Sequence, residues 1–308
     1  MSAIHEATPA SPKISVISFC LNSGTFLKDT IESVLRQTYD NFELIIKDGG
    51  STDGTVEILK EYPQVRWVSE KEGGDNPTLD ALWQAFSMSR GEYIIILAVS
   101  DGILDLSWFK KAVDVLDSDP EVSWVWGIAQ ARSEEGHLGK LFWPEYLEHA
   151  PPQKREWLPF WLTLRQIQES NAIFRRSVFE KYFPTNDINE PYRFNATHGF
   201  MLSLNTMGYV PYFLPIISYY GTTHENQLQQ RFNDLMDFLS KRYDREIREY
   251  RKKFLSGKIV HRFRDGSSNV THEVGKEELW HYRKKVLLYR LKYKLRRNLQ
   301  KLLEHIIY

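Results

Sequence analysis

The stretch Lys47-Asp48-Gly49-Gly50-Ser51-Thr52-Asp53-Gly54-Thr55 decides how the first half of this chain folds. It follows an apolar run at residues 42–46 and precedes an amphipathic run at residues 56–62, which predicts a strand, a glycine-rich turn and a helix. Asp48 then stands at the carboxyl end of the strand, where ligands bind in open α/β sheets. The two glycines allow close approach of the backbone to a ligand, although Asp and Gly also fill ordinary turns.

The same alternation of strand and helix extends in both directions from this turn. Strands are predicted at residues 14–20, 42–46, 66–68, 93–97 and 122–126, with helices at residues 26–37, 57–62, 79–88 and 108–116. Strands that alternate with helices form right-handed βαβ units and a mostly parallel sheet. The fold class is therefore α/β, and the most apolar strand, 93–97, is expected near the centre of the sheet.

The second half has a different pattern. Residues 137–165 are rich in aromatics and proline, which predicts an irregular cover on the acceptor side or, alternatively, a satellite hydrophobic cluster under a long loop. A helix is predicted at 199–207, and two strands at 210–214 and 216–220 are separated by Pro215. From residue 228 onward the pattern is helical and charged, with a break at 265–269.

Composition excludes several functional classes. The chain has 308 residues and a formal net charge of +0, so nothing global favours nucleic acid as a partner. Cys20 is the single cysteine, which excludes an intrachain disulfide and is compatible with a reducing compartment. Residues 1–12 do not resemble a signal peptide, and no apolar run approaches the roughly 20 residues that span a bilayer. We expect a cytoplasmic protein, or one held at the inner face of the plasma membrane.

Acidic side chains follow three of the predicted strands. Asp48, Glu70 and Asp101 all fall at carboxyl ends, which a parallel sheet brings to one edge. The chain has neither a G-x-G-x-x-G segment after its first strand nor a P-loop, which disfavours a dinucleotide or P-loop site. A phosphate-bearing ligand would then need basic side chains or a divalent cation, Mn²⁺ or Mg²⁺, for which Asp101 is a suitable ligand.

Several motifs together resemble the family 2 glycosyltransferases of the GT-A fold. They are Val16-Ile17-Ser18-Phe19-Cys20-Leu21-Asn22, the turn at 47–55, Ser69-Glu70-Lys71, Asp80-Ala81-Leu82 and Gly91-Glu92-Tyr93-Ile94. The resemblance covers about residues 12 to 227. It implies a nucleotide-binding sheet with helices on both faces, and transfer of a sugar from a nucleotide diphosphate, often a UDP-sugar, with inversion at the anomeric carbon. The acceptor would be a glycan or a lipid-linked glycan of surface polysaccharide biosynthesis.

The resemblance also implies roles for individual residues. Asp48 would bond the base, the backbone near Phe19 would line the base pocket, and Asp101 and His224 would hold the cation. The complete nucleotide-binding set is Phe19, Cys20, Asn22, Asp48, Gly49, Ser51, Glu70, Asp80, Ser100 and Asp101. Three of the candidate residues have plain structural alternatives: Glu70 as a turn residue, Asp80 as a solvated helix residue and the candidate metal ligand His224 as a packing residue. Asp53 is expected to serve the turn and its helix cap.

Two positions depart from the family. The run Ala98-Val99-Ser100-Asp101-Gly102 has one carboxylate where the family commonly has a pair, and Ala196-Thr197-His198 stands where the family places an acidic catalytic base. An inverting transfer needs a base for the acceptor hydroxyl. His198 and Glu169 are the first candidates for this base, and Asp187 and Glu190 are further candidates. The alternative for His198 is a residue at the start of a helix with no chemical role.

The C-terminal residues 277–308 interleave apolar side chains with Lys and Arg. This pattern suits a helix lying on an anionic membrane surface, or alternatively a helical pair packed on the catalytic domain or on a second subunit. The predicted organisation is a flexible N-terminus (1–12), a GT-A domain (13–227) and a helical extension (228–308). Residues 13–127 form the nucleotide-sugar half of that domain and residues 128–227 the acceptor half. The competing functions are a degenerate, non-catalytic nucleotide- or glycan-binding module and a membrane-surface scaffold.

Overall fold

One sheet organises the chain in the computed structural model, which describes residues 11–71, 73–142, 152–164, 172–185, 187, 189–192, 194–222, 224 and 233–307. Its strands are β1 (Ile14–Cys20), β2 (Phe42–Asp48), β3 (Val65–Ser69), β4 (Tyr93–Ile96), β5 (Gly102–Ile103), β6 (Val122–Arg132), β7 (Leu138–Phe142), β8 (Ala172–Arg175) and β9 (Val210–Thr222). The strand order is β3-β2-β1-β4-β8-β6-β9-β5, with β7 paired to β6.

The direction of the strands confirms the predicted α/β sheet. β3, β2, β1 and β4 pair in parallel, and β6 pairs in parallel with β9. β8 runs antiparallel between β4 and β6, which leaves those two strands pointing the same way. Six of the nine strands that this sheet has among the described residues therefore share one direction, and β4 occupies the predicted central position.

Helices cover both faces of the sheet. They are α1 (Gly24–Leu35), α2 (Thr55–Glu61), α3 (Pro77–Met88), α4 (Trp108–Ser118), α5 (Trp157–Leu164), α6 (Arg176–Tyr182), α7 (Ala196–Met207), α8 (Asn233–Leu255) and α9 (Lys276–Ile307). The buried residues of α1, α2 and α4 join one apolar cluster, and those of α3 and α5 to α9 join a second cluster. Neighbours on β1 alternate between them, since Val16 belongs to the first and Ile17 to the second. Burial on both faces explains why these strands are continuously apolar.

The strand β9 is longer than predicted. Instead of two strands separated by Pro215, the single strand β9 runs from Val210 to Thr222. The sequence-based expectation was wrong because proline removes a ladder hydrogen bond and is usually read as a strand end. Here the pairing of β9 with β6 shifts register at several points, and such irregularities tolerate proline.

The aromatic segment at 137–165 is neither an irregular cover nor a satellite cluster where it is described. It contributes β7, antiparallel to β6, and α5. Trp157, Phe160 and Trp161 of α5 are buried within the second apolar cluster, beside residues of the sheet. Residues 143–151 of this segment lie outside the described part of the chain.

The C-terminal segment contains a hairpin that the helical pattern concealed. β10 (Arg262–Arg264) and β11 (Val270–Glu273) pair antiparallel around the predicted break at 265–269. Asp265 closes this turn by accepting hydrogen bonds from the backbone N–H groups of Ser267 and Asn269. Buried residues of α8, the hairpin and the first part of α9 belong to the same apolar cluster as α5 and α7. The predicted domain boundaries at 127 and 227 stay a prediction.

Candidate active site

Three parallel strands end level with one another, and their last side chains form a row. The register places Cys20 of β1 opposite Asp48 of β2, and Asp48 opposite Ser69 of β3. Asp48 is buried in the middle of this row. The sheet thus assembles, from segments far apart in the chain, the edge at which the sequence predicted a ligand site.

Asp48 is fully engaged by the protein. One carboxylate oxygen accepts hydrogen bonds from the N–H groups of Gly50 (3.1 Å) and Ser51 (3.0 Å) and from the Ser69 hydroxyl (2.5 Å). The other accepts from the Ser51 hydroxyl and, at 3.6 Å, from the Cys20 thiol. Burial raises the pKa of Asp48, but these hydrogen bonds outweigh it and leave the pKa below its usual value. An ionised Asp48 therefore braces the glycine-rich turn.

The turn is also fastened to the loop between β1 and α1. Gly49 N–H donates to the carbonyl of Cys20 at 2.9 Å, Asn22 N–H donates to the Ser51 hydroxyl at 2.7 Å, and Thr52 N–H donates to the Asn22 side-chain oxygen at 2.9 Å. Asn22 adopts a φ of 51°, a conformation that asparagine tolerates better than most residues. Two loops that would otherwise be independent thus form one rigid wall beside the Asp48 row.

Asp53 fulfils the turn and cap role that the sequence predicted. Its carboxylate accepts hydrogen bonds from the N–H of Gly24 (3.0 Å), which begins α1, and from the N–H of Thr55 (3.1 Å), which begins α2. Burial raises the pKa of Asp53, and these bonds together with the Thr55 hydroxyl lower it to a net depression. One carboxylate therefore positions the first turns of both helices that frame the site.

A buried lysine, which the sequence reasoning did not single out, lies next to this row. The Lys47 side chain is fully buried, and its ammonium donates to the backbone carbonyls of Asp48 (2.9 Å) and Glu70 (2.5 Å). The Glu70 N–H donates to the Asp48 carbonyl at 3.0 Å, while the Glu70 residue itself is exposed to solvent. Lys47 thus ties the end of β2 to the loop that follows β3.

Asp101 lies in a second cluster, after β4. Its carboxylate accepts hydrogen bonds from the Tyr219 hydroxyl and from the N–H of Thr222 (3.0 Å), both on β9. The Thr30 hydroxyl donates to the Asp101 backbone carbonyl at 2.8 Å. Burial raises the pKa of Asp101, and the bonds from Tyr219 and Thr222 oppose that rise without cancelling it.

The backbone around Asp101 is strained and tightly filled. Ser100 adopts a φ of 124°, which L-residues rarely populate, and the Thr222 hydroxyl donates to its carbonyl. A Cβ atom added to Gly102 would collide with the ring of Tyr220, so any larger residue at this position would displace that ring. The Tyr220 ring therefore occupies the space that an acidic side chain at position 102 would need.

His224 packs beside α1. Its ring centroid is 4.9 Å from that of Phe26, and it is one of the groups that lower the pKa of Asp101. No group of three His, Cys, Asp or Glu side chains suited to a metal occurs among the described residues. Each Asp101 oxygen retains lone-pair capacity, so Asp101 with His224 fits a cation whose remaining ligands are phosphate oxygens and water.

The remaining predicted residues are scattered around the two clusters. Phe19 is half-buried against the second apolar cluster, and the Asp80 carboxylate on α3 faces Gly74 of the preceding loop. Neither arrangement establishes a contact with a nucleotide, so both stay predictions.

The candidate catalytic bases have different surroundings. His198 lies in the first turn of α7, with its ring 5.4 Å from that of Tyr243 on α8, and its Nδ1 atom is buried with no hydrogen-bond partner among the described residues. Asp187 accepts from Asn189 N–H, and the Glu190 carboxylate accepts from the N–H of Tyr192, so both close local turns. Glu169 lies outside the described residues.

The residues that sequence reasoning missed are those of β9. Tyr219 and Tyr220 pair with Ile103 and Gly102 across more than 100 positions of chain. Aromatic side chains in an apolar strand are typical of core residues, and no local signal connects Tyr219 or Tyr220 to Asp101. Only the sheet pairing identifies them as parts of the site.

Comparisons with known proteins bear on the family and the fold of the chain. The sequence profile described as Glycosyl transferase family 2 matches residues 15–183. A PGL/p-HBAD biosynthesis glycosyltransferase of Mycobacterium bovis is 26% identical over 180 residues, which cover 58% of this chain and 64% of the relative. The matched part thus spans less than two thirds of that relative.

Two solved structures share the fold. S. aureus TarS (1-349) in complex with UDP-GlcNAc aligns with a TM-score of 0.50 at 19% identity, over 70% of this chain and 60% of that one. The mannosyltransferase PcManGT of Pyrobaculum calidifontis, in complex with GDP-Man and Mn²⁺, aligns with a TM-score of 0.50 at 18% identity, over 74% and 65% of the two chains. These likenesses confirm the expected GT-A fold.

Proposed function

The chain belongs to glycosyl transferase family 2, and from this premise we propose that it transfers a sugar, with inversion, from a nucleotide diphosphate donor to an acceptor. The acceptor is a glycan or lipid-linked glycan of surface polysaccharide biosynthesis, and a UDP-sugar is the favoured donor. The observation that carries the proposal is the row of Cys20, Asp48 and Ser69 at the carboxyl edge of the sheet, with its turn fastened to the loop after β1. UDP-GlcNAc in TarS and GDP-Man in PcManGT support a nucleotide-sugar donor.

The braced turn supplies the pocket for the base of the nucleotide. Both Asp48 oxygens already accept bonds from the protein. The base would therefore meet Asp48 directly only if the Ser51 or Ser69 hydroxyl rotated away. The rigid backbone at 20–22 and 49–52 then provides most of the complementary surface, and rigidity lowers the entropic cost of binding.

The Asp101 cluster provides the site for the diphosphate. Asp101 and His224 would hold a divalent cation, Mn²⁺ or Mg²⁺, which neutralises the charge that develops on the leaving nucleotide diphosphate. The chain itself contributes an oriented carboxylate, a neighbouring imidazole and a strained backbone turn. PcManGT, which was solved with Mn²⁺, supports this assignment.

Donor hydrolysis without an acceptor tests the proposal. Wild-type protein and Asp101→Asn are incubated with a panel of UDP- and GDP-sugars, with Mn²⁺, with Mg²⁺ or with EDTA, and the release of nucleotide is measured. We expect slow release from one donor class that depends on the cation and is lost in Asp101→Asn. Asp117→Asn is a matched control, because Asp117 also accepts a tyrosine hydroxyl bond, from Tyr93 at the opposite end of β4.

The competing function, a degenerate module that binds a nucleotide or glycan without turnover, is favoured by the same Asp101 geometry. Tyr219 and Thr222 already occupy part of its carboxylate, and Gly102 leaves no second acid. Nucleotide binding in a thermal-shift assay, combined with no release from any donor, would establish that alternative.

His198 is our candidate for the base that accepts the proton of the acceptor hydroxyl. Its Nδ1 is buried with no hydrogen-bond partner among the described residues, and His198 stands in the first turn of α7, where the family places an acidic base. We expect His198→Ala to slow sugar transfer by about 100-fold or more while donor hydrolysis by water changes less. His272→Ala, which removes a histidine paired with Glu278 in the C-terminal segment, serves as the control. Full transfer activity in His198→Ala would move the role to Glu169.

The distal part of α9 supports a location at a membrane surface. Among the described residues no helix is both long enough and apolar enough to cross a bilayer. Leu279, Tyr282 and Val286 are buried against the protein. Leu287, Leu291 and Leu295 recur every four residues on the opposite side of the helix and are 53–65% exposed.

The charges beside this stripe support an anionic membrane surface as its partner. Arg283, Arg290 and Lys294 are exposed on one flank of the leucine stripe, and Lys292 on the other. An apolar stripe bordered by cations suits the headgroup region of an anionic bilayer, at the inner face of the plasma membrane, where a lipid-linked acceptor would be confined.

Vesicle flotation separates this role from protein–protein packing. We expect the wild type to float with phosphatidylglycerol-containing vesicles, and the double variant Leu291→Ser/Leu295→Ser to stay in the aqueous fraction. Leu138→Ser is the matched control, since Leu138 is an exposed leucine on β7. Unchanged flotation of the double variant would exclude the stripe as the anchor, and loss of a dimer on dilution would point to a second subunit instead.

A further inference from the structure

Two residues of β9, Tyr219 and Thr222, donate hydrogen bonds to the carboxylate of Asp101. The sequence around Asp101 does not predict either contact. The Tyr219 hydroxyl donates to one carboxylate oxygen, and the N–H of Thr222 donates to the other at 3.0 Å. Tyr219 is only 4% exposed, so its ring is enclosed by the protein. Both oxygens of the carboxylate are thus contacted from a strand that begins more than 100 residues later.

Neighbouring groups also confine Asp101, and the Ser100 hydroxyl donates at 3.4 Å to the oxygen that accepts from Thr222. The ring of Tyr220 fills the space beside Gly102, and the guanidinium of Arg132 lies 4.9 Å from the centroid of that ring. The strained Ser100 is fixed by Thr30 at its N–H (3.3 Å) and by Thr222 at its carbonyl. A strained turn persists only when its surroundings over-determine it, and strain of this kind clusters at functional sites.

We propose that Tyr219 is a positioning residue, whose hydroxyl orients the single carboxylate of Asp101 toward the cation and diphosphate and thereby sets the affinity of the site for a divalent cation. Tyr219 does not touch the substrate and acts through Asp101. This inference rests on the proposed function, because it concerns the cation of the same site. Hydrogen-bond partners of a metal-ligating carboxylate typically change metal affinity by about 10- to 100-fold when they are removed.

Mn²⁺ binding tests this role without measuring turnover. The concentration of free Mn²⁺ is followed by electron paramagnetic resonance while Mn²⁺ is titrated into wild type, Tyr219→Phe and Tyr93→Phe, each with UDP and then with GDP. Tyr219→Phe should weaken nucleotide-dependent Mn²⁺ binding by about tenfold or more. Tyr93→Phe should leave it unchanged, since Tyr93 makes the same type of bond, to Asp117, at the other end of β4.

The outcomes separate the inference from the proposed function. Equal Mn²⁺ affinity in wild type and Tyr219→Phe would overturn the positioning role alone. Absence of nucleotide-dependent Mn²⁺ binding in wild type would overturn both the role and the cation, while donor release in EDTA would still support sugar transfer. The Asp101→Ala background gives a second test: there Tyr219→Phe should have no further effect, and an additive loss would contradict action through Asp101.

Discussion

Lowering the pH is expected to destabilise this protein through one histidine far from the carboxyl edge of the sheet. His261, just before β10, is 1% exposed and is surrounded by the rings of Phe254 and Phe263. Its Nδ1 is 2.7 Å from the Tyr250 hydroxyl, which also lies 3.3 Å from the carbonyl of Thr206, while its Nε2 is buried with no partner among the described residues. Protonation would place an unsatisfied N–H and a charge in this apolar pocket.

The magnitude follows from the change in proton affinity on folding. Burial lowers the pKa of His261 from 6.5 to about 3. The unfolded state binds the proton more tightly than the folded state. The contribution of neutral His261 to the free energy of unfolding is therefore fully present above pH 6.5 and is lost as the pH falls toward 3. Linkage gives a loss of about 2 kcal/mol between pH 8 and pH 5, and about 5 kcal/mol in total below pH 3.

Urea unfolding, followed by tryptophan fluorescence, measures this loss. His261→Phe keeps an aromatic ring in the pocket, and Tyr250 keeps Thr206 as its acceptor. All other titrating groups are common to both proteins, so the difference between their pH dependences isolates His261. We expect the wild type to lose about 2 kcal/mol more than His261→Phe between pH 8 and pH 5. Parallel pH profiles for the two proteins would refute the reasoning.

Two further substitutions test how tightly the sheet is built. Gly102→Ala should lower the free energy of unfolding in urea by about 1 to 3 kcal/mol, because its Cβ would collide with the Tyr220 ring. An unchanged urea midpoint would mean that the Tyr220 ring moves aside without cost. Glu43→Gln should cost about 3 kcal/mol, because Glu43 is fully buried and its carboxylate lies 2.6 Å from Arg66. The exposed Glu57→Gln should have almost no effect, and equal losses at the two sites would contradict the buried pair.

The sequence by itself determined the strand–turn–helix units of the first half. The apolar runs, the turn at 47–55 and the acids after three strands are local patterns. Strands that are buried on both faces consist of consecutive apolar residues, and backbone geometry sets the period of each strand and helix. These patterns predicted an α/β sheet with Asp48 at its carboxyl edge, and the motifs quoted from the sequence led to the family and, through the resemblance, to the GT-A fold.

Other features were beyond local patterns. Proline in β9 and the charged residues of the C-terminal hairpin carry signals typical of breaks and helices, and only the partners of these strands show otherwise. The occupation of Asp48 by five protein donors likewise follows from atoms that three strands and two loops bring together.

The tertiary structure alone decided what surrounds Asp101. Tyr219 bonds its carboxylate and Tyr220 excludes a neighbouring acid, although both are separated from it by well over 100 residues. The sequence places an acid after a strand because that order is local. Which groups satisfy, orient and confine the acid depends on sheet pairing, where long-range hydrophobic burial and strand register bring distant side chains within hydrogen-bond distance.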